Sequence, residues 1–271
     1  MLVLQSNQAP TSQTAAASTV IVAAREDRPL RVAVISDIHA NLHALESVLE
    51  AVDADPPDRL WCLGDLVGYG PRPNEVTEIV RQRADLCLIG NHDLAALGRI
   101  DLDDFAFDAA VSARWTQSVL LDDNRDYLDG LSPMAEIEGV QLFHASPRDP
   151  VWEYVITEET AFDALERTHA PVVLVGHSHL ALAITLFEGR LGGGLAPGGS
   201  EADVTEGRWL LNPGSVGQPR DGDPRAAWIE LDLDAHRILF RRTPYPVEQT
   251  QAEIRERELP DALAERLAHG V

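Results

Sequence analysis

Only two cysteines occur in the 271 residues, Cys62 and Cys87, and each sits inside an apolar run. That excludes a cysteine-rich zinc module and a secreted disulfide framework, and it reads as two small core residues in a reducing cytosol. Positive charge is also scarce, since 22 Lys plus Arg against 44 Asp plus Glu leave a formal charge of −22. So acidic a surface repels polyanions and argues against stable nucleic-acid binding. No apolar run approaches the roughly 20 residues of a membrane helix, and no basic stretch leads into an apolar one at the N-terminus. The expected setting is the cytoplasm, without a membrane partner. Hydrophobic residues make up 45% of the chain, enough for a sizeable core in one large α/β domain or two small ones.

Residues 1–28 are rich in Ser, Thr, Gln and Ala, with only the short Thr19-Val20-Ile21-Val22 run to bury, and read as a mobile tail. Residues 29–271 are expected to form a single domain. Its first segment, Arg31 to Asp37, is a strand, followed by Leu42, Leu45, Val48, Leu49 and Val52 at helix spacing. The cycle repeats with Arg59 to Asp65, a helix opening at Pro73, and Leu86 to Asn91. Near-continuous apolar strands between helices imply a sheet buried on both faces.

An acidic helical insert is expected at about 101–131, carrying Phe105, Phe107, Val111, Trp115, Val119 and Leu120; its role is packing, a lid or a dimer face. A tight hairpin centres on Gly139, a helix covers Thr157 to Thr168, and a strand covers Pro171 to Gly176. From Ala181 short strands dominate until a C-terminal helix at about 247–269. Beginning in βαβ units and ending in strands suggests an α/β domain with two facing sheets. Gly189 to Gly207 reads as a flexible hairpin tip, because it lacks the Lys and following helix of a phosphate-binding P-loop.

The polar residues at the ends of the apolar runs carry the chemistry: Asp37 and His39, Asp65, Asn91 and His92, His144, and His177 and His179. Each group lies at or just past the carboxyl end of a strand, the edge where loops of an open α/β sheet converge on a ligand. Carboxylates, imidazoles and one amide oxygen form a mixed set suited to divalent manganese, iron, cobalt, nickel or zinc. Seven candidate ligands, Asp37, His39, Asp65, Asn91, His144, His177 and His179, exceed one tetrahedral ion. Two ions sharing a bridging Asp would use them all, at the separation of about 3.5–4 Å that suits phosphoryl transfer. His43 and His169 belong to helix surface or packing, and His236 to a turn.

In order and spacing, Asp37-Ile38-His39, Gly64-Asp65, Gly90-Asn91-His92-Asp93, His144 in Phe143-His144-Ala145-Ser146-Pro147, and Gly176-His177-Ser178-His179 resemble the five motifs of the calcineurin-like metallophosphoesterases. The match spans about Arg31 to Phe240. Asn212 to Arg220 and Gly64 to Pro71 are similar to the small bacterial and archaeal phosphodiesterase branch. The resemblance implies a four-layer sandwich, two mixed β-sheets flanked by helices. It also implies two divalent metal ions, manganese foremost, the first held by Asp37, His39, Asp65 and His179 and the second by Asp65, Asn91, His144 and His177. No ligand position departs from the pattern. One other stretch does: the protein phosphatase branch has Gly-Asp-x-Val-Asp-Arg-Gly in its second motif, and here the last Asp and Arg are Gly68 and Tyr69.

The expected function is hydrolysis of a small phosphate ester, most simply a diester, by a metal-bridging hydroxide. By analogy with the family, His92 is the general acid; its structural alternative is a pairing with Asp93. Rival readings are a phosphomonoesterase, a dinucleoside polyphosphate hydrolase and a non-catalytic scaffold. With Arg absent at Tyr69, Arg220 is the candidate to grip the substrate phosphate, against the plainer role of balancing Asp221 and Asp223. A homo-oligomer remains open.

Overall fold

Strands that are apolar on both faces need a cover on each side, and that requirement shapes the architecture. The computed structural model describes Ile21–Val22 and residues 30–271. The first half contains β1 (Ile21–Val22), β2 (Arg31–Ile35), α1 (Leu42–Ala54), β3 (Arg59–Cys62), α2 (Pro73–Arg83), β4 (Leu86–Cys87) and α3 (Asn91–Ala96). Then come a short 3-10 turn (Leu102–Asp104), α4 (Phe107–Val119), α5 (Asp122–Asp129), β5 (Met134–Ile137), β6 (Val140–Phe143), α6 (Glu158–Arg167) and β7 (Val172–Val175). The remainder is β8 (Ala181–Phe187), β9 (Arg190–Leu195), β10 (Glu201–Asp203), β11 (Arg208–Pro213), β12 (Ala226–Asp232), β13 (Arg237–Thr243), α7 (Val247–Glu256) and α8 (Asp261–Glu265).

These strands make two mixed sheets. One has seven strands in the order β1-β5-β6-β7-β11-β8-β9, the other six in the order β10-β13-β12-β2-β3-β4. In β2, Val32 and Val34 face the opposite sheet while Ala33 and Ile35 face the helices. The same alternation divides β7, where Val172 and Leu174 enter the layer between the sheets and Val173 and Val175 meet α6. Helices α1 and α2 cover the outer face of the six-stranded sheet, and α6 covers that of the seven-stranded one. The four-layer α/β sandwich expected from the motifs is the observed fold.

Local signals set the helix starts. Asn41 accepts a hydrogen bond from the Ala44 amide to cap α1, Pro73 occupies the first turn of α2, and Thr157 caps α6. The β5–β6 hairpin turns through Glu138 and Gly139, both in left-handed backbone, as a two-residue turn requires.

Three expectations need correction or restriction. Gly192, Gly193 and Gly194 are not a flexible tip: they lie in β9 and pair with β8, the turn being Glu188-Gly189, and β10 farther on joins the other sheet. The main-chain ladder supplies their bonding, so no side-chain alternation announced the strand. The single C-terminal helix is divided, because Glu258 takes a left-handed conformation and Pro260 cannot continue a helix. Its two parts still pack as one cluster, Ile254, Leu259, Leu263 and Leu267 meeting Tyr69 and Trp115. The expected tail lies outside the described residues apart from Ile21–Val22, which pair in parallel with Glu136–Ile137.

Leu174, fully buried between the sheets, tests the sandwich core. Leu174→Ala should lower unfolding free energy by about 2–5 kcal/mol, read from the denaturant midpoint at constant slope. A loss below about 1 kcal/mol would mean the two sheets are not in close contact there.

Candidate metal centre

Five strand ends deliver the polar residues to one cleft: β2, β3 and β4 from the six-stranded sheet, β6 and β7 from the seven-stranded one. The chain must turn sharply there to bring side chains inward. Asp37, His39, Asp65, His177 and His179 all adopt left-handed backbone, with φ between 51° and 63°. Such a conformation costs about 1–2 kcal/mol for a residue with a Cβ, so tertiary bonds must hold it. They do: the Asp37 amide donates to the Gly64 carbonyl at 3.0 Å, the Ile38 and His39 amides to that of Asp65 at 2.9 and 3.0 Å, and the Gly176 amide to that of His144 at 2.8 Å. Gly90 serves close approach, since a Cβ there would strike the Asp65 carboxylate and come within 2.6 Å of His144 Cε1.

The seven candidate ligands are all buried. Three overlapping groups form, Asp37 with His39 and His179, His39 with Asp65 and His92, and Asp65 with His144 and His177, each with ligand atoms within 4.8 Å of one another. Four imidazoles are fixed from behind by main-chain carbonyls. His39 Nδ1 donates to Val67 O at 3.2 Å, His144 Nδ1 to Leu63 O at 2.8 Å and His179 Nδ1 to Gln218 O at 2.6 Å, while His177 uses Nε2 toward Trp152 O at 3.2 Å. In a neutral ring the other nitrogen is then a bare acceptor.

Those acceptors face one another. His39 Nε2 and His179 Nε2 are 3.0 Å apart, and His144 Nε2 is 3.3 Å from Asn91 Oδ1. Asp37 Oδ1 and Asp65 Oδ2 are buried without a hydrogen-bond partner, although Ser36 donates to Asp37 Oδ2 at 2.5 Å and the His92 amide to Asp65 Oδ1 at 2.9 Å. Asp65 Oδ2 lies 3.7 Å from His39 Nε2 and 3.5 Å from His144 Nε2, between the two outer groups. Lone pairs crowded together without protons between them repel, and divalent cations reverse that repulsion. The donor set, oxygen and nitrogen with no sulfur, fits such ions.

The electrostatics agree. Burial pushes Asp37 up to about 7, and burial followed by the nearby Asp93 raises Asp65 well above the usual carboxylate range. Burial likewise lowers His39, His177 and His179, and takes His92 down to about 3. Neutral imidazoles are the form that ligates a metal.

His92 does not pair with Asp93, whose carboxylate accepts from the Val67 and Gly90 amides, each at 3.0 Å. Its ring packs instead beside His39, Tyr69 and Phe105, with Nδ1 sealed against Gly68, where a Cβ would come within 2.6 Å. Arg220 is not balanced by the neighbouring acids, since Asp221 pairs with Arg242 and Asp223 with Arg225. Its guanidinium reaches Gln218 Oε1 at 2.8 Å and the Tyr69 hydroxyl at 3.4 Å. His43 faces Glu253 at 3.4 Å, His169 faces Glu136 at 3.1 Å and His236 occupies a turn, all outside the three groups. The motifs gave no hint of the aromatic wall: Tyr154 stacks on His177 at 4.1 Å, and Trp152 meets Phe105 at 5.2 Å. The one signal was two aromatics shortly after the His144 loop.

A two-sheet sandwich whose strand ends from both sheets gather carboxylates, imidazoles and an amide in one buried cleft is the framework of a metal-dependent phosphoesterase. Residues 30–234 match the calcineurin-like phosphoesterase superfamily domain, and the chain belongs to that family. An uncharacterised protein of Methanocaldococcus jannaschii is 37% identical over 88% of this chain and 98% of its own length. The crystal structure of a metallophosphoesterase from Sphaerobacter thermophilus is 42% identical, with a TM-score of 0.82, covering 90% of this chain and 100% of that one. A symmetrical bis(5'-nucleosyl)-tetraphosphatase of Erwinia tasmaniensis is 44% identical over 66 residues, 23% of this chain and 24% of that protein. The chain is a hydrolase acting on phosphate esters.

Metal uptake should depend on pH in a definite direction. With its carboxyl raised to about 7, Asp37 keeps its proton below that pH in the metal-free protein, and a cation must displace it. Apparent Mn2+ affinity should therefore rise with pH across the range around pH 7, by up to about tenfold per unit for each proton displaced. Calorimetric titration at pH 6, 7 and 8 measures it; equal affinity at all three would mean that metal binding displaces no proton from a raised carboxyl.

Proposed function

We propose that the protein is a phosphodiesterase working with two divalent metal ions, manganese foremost, held by Asp37, His39, Asp65 and His179 on one side and Asp65, Asn91, His144 and His177 on the other. The observation that carries this reading is Asp65 Oδ2, buried, unpartnered and within 3.7 Å of an acceptor nitrogen from each side. When bound, the metal pair supplies an acidified water and neutralises charge on the phosphoryl oxygens. The chain's own residues do the rest. Arg220, without a carboxylate partner among the described residues, is the cation that grips a phosphate oxygen. His92, with a ring nitrogen within 4.8 Å of the ligand atoms of His39 and Asp65, hands a proton to the departing alkoxide. Burial favours the neutral His92 ring, so the proton it donates must be gained in the substrate complex.

A single cationic clamp suits a diester of charge −1 better than a monoester dianion. Cys62 and Cys87, both free thiols, accord with the cytoplasm as the working compartment. The short match to a dinucleoside tetraphosphatase favours a second reading, hydrolysis of a dinucleoside polyphosphate. A panel of diesters, cyclic nucleotides, monoesters and dinucleoside polyphosphates with saturating Mn2+ decides between them. Diesters should turn over fastest; a faster monoester or dinucleotide replaces the reading.

Two substitutions separate binding from chemistry. His92→Ala should keep metal content while losing roughly 10²–10⁴-fold in turnover of alkyl esters, and less where nitrophenolate departs, because that group needs little protonation. Arg220→Ala should weaken kcat/KM for every phosphate ester at unchanged metal content. Unaltered kinetics in either variant would strike that residue from the mechanism.

A further inference from the structure

Beside the metal centre, a groove of about 670 Å3 runs along the outer strands of the seven-stranded sheet, the size of a pocket that buries a small organic ligand. Its walls are aliphatic: Ile156, Leu180, Leu182, Ile184, Leu191 and Leu195. Leu182 is buried, and Ile184 and Leu191 pack into the core beneath α6, so the floor is firm. Ile156 and Leu195 stand at the mouth, 57% and 63% exposed, a large apolar area to leave in water. No aromatic side chain lines the groove, and the glycines of β9 open one wall down to main chain.

Three connections join this groove to the candidate metal centre. Leu180 directly follows His179, and the Arg220 amide donates to the His179 carbonyl at 3.2 Å. Ile156 continues the segment whose Trp152 carbonyl holds His177 and whose Tyr154 stacks on it. Arg220 itself lines the groove while its guanidinium reaches Tyr69, whose ring lies against His39 and His92. Of the two acids that also line the groove, Asp221 is tied to Arg242 and Glu158 is exposed to water, and Arg220 is the one cation in the lining.

One cation in the lining and mainly aliphatic walls describe a ligand with a phosphate head and an alkyl tail. We infer that this groove is a specificity subsite for one alcohol of the substrate, and that this alcohol is an aliphatic chain rather than a nucleoside. Stacking a flat base would call for an aromatic partner in the walls, and there is none. The inference deepens the phosphodiesterase reading and rests on it for the position of the phosphate.

The experiment compares methyl-, butyl-, hexyl- and octylphosphonate binding to the Mn2+-loaded full chain by calorimetry, alongside turnover of the matching alkyl 4-nitrophenyl phosphates. Each buried methylene should tighten binding by about fourfold until the groove is full, and kcat/KM should climb with it. In a double variant, Ile156→Asp with Leu195→Asp, both at exposed positions, the ratio of hexyl to methyl binding should collapse toward one. A flat series in the wild type, no phosphonate binding, or an undiminished ratio in the double variant overturns the subsite. So does a flat series in a protein that light scattering shows to be dimeric and that the double variant makes monomeric, since a second copy then fills the groove. The two readings fail separately. Chain-length-dependent phosphonate binding without hydrolysis of any ester keeps the groove and ends the phosphodiesterase reading, whereas good turnover with a flat series does the reverse.

Discussion

Two imidazole nitrogens held 3.0 Å apart are the constraint from which the rest of this structure follows. His39 and His179 come from different sheets, and each has spent its other nitrogen on a main-chain carbonyl. Add two buried carboxyl oxygens without a hydrogen-bond partner, and the cleft crowds acceptors in a low-dielectric interior. Folding tolerates this because the costs lie at the ends of strands whose middles are among the best-buried parts of the chain. Val32, Val34, Trp61, Leu142 and Leu174 close the layer between the sheets, and the strained turns are carried on that platform. Divalent cations bound there would relieve repulsion between groups from both sheets.

Much of this could be read from residue order. Each apolar run ends in a carboxylate, an amide or an imidazole, and a strand buried on both faces leaves its carboxyl end as the natural place for polar side chains. Alternation and capping likewise exposed the early βαβ units. What stayed hidden depended on main-chain bonding or on distant partners. Gly192 to Gly194 have no side chains to alternate, so β9 was invisible as a strand. The break before Pro260 sits inside a charged, helix-favouring stretch, and its apolar positions continue across the break into one cluster. Asp93 looked like a partner for His92 because it is adjacent, yet a helix-start carboxylate has nearby amides to serve first. Arg220 meets Tyr69 across 151 positions, a contact no local pattern encodes.

That last contact gives meaning to the departure in the second motif. Protein phosphatases of this superfamily place an Asp and an Arg where this chain has Gly68 and Tyr69. Gly68 leaves the room that His92 occupies, and Tyr69 lays an aromatic ring against both His39 and His92. The hydroxyl of Tyr69 then receives an arginine from another loop. A positive charge thus enters the cleft from the side of β11 rather than from the loop after β3, and the aliphatic groove lies on that same side.

The hydrogen bonds that hold the four imidazoles of the centre from behind all go to main-chain carbonyls, those of Leu63, Val67, Trp152 and Gln218. A carbonyl belongs to every amino acid. Replacing the side chain at any of these four positions leaves the acceptor in place so long as the main chain keeps its path, and so the tautomers of these imidazoles are insulated from most point substitutions around them. The centre is in this sense buffered against genetic drift: its neighbours can vary to reshape the cleft while the protonation pattern of its imidazoles stays the same.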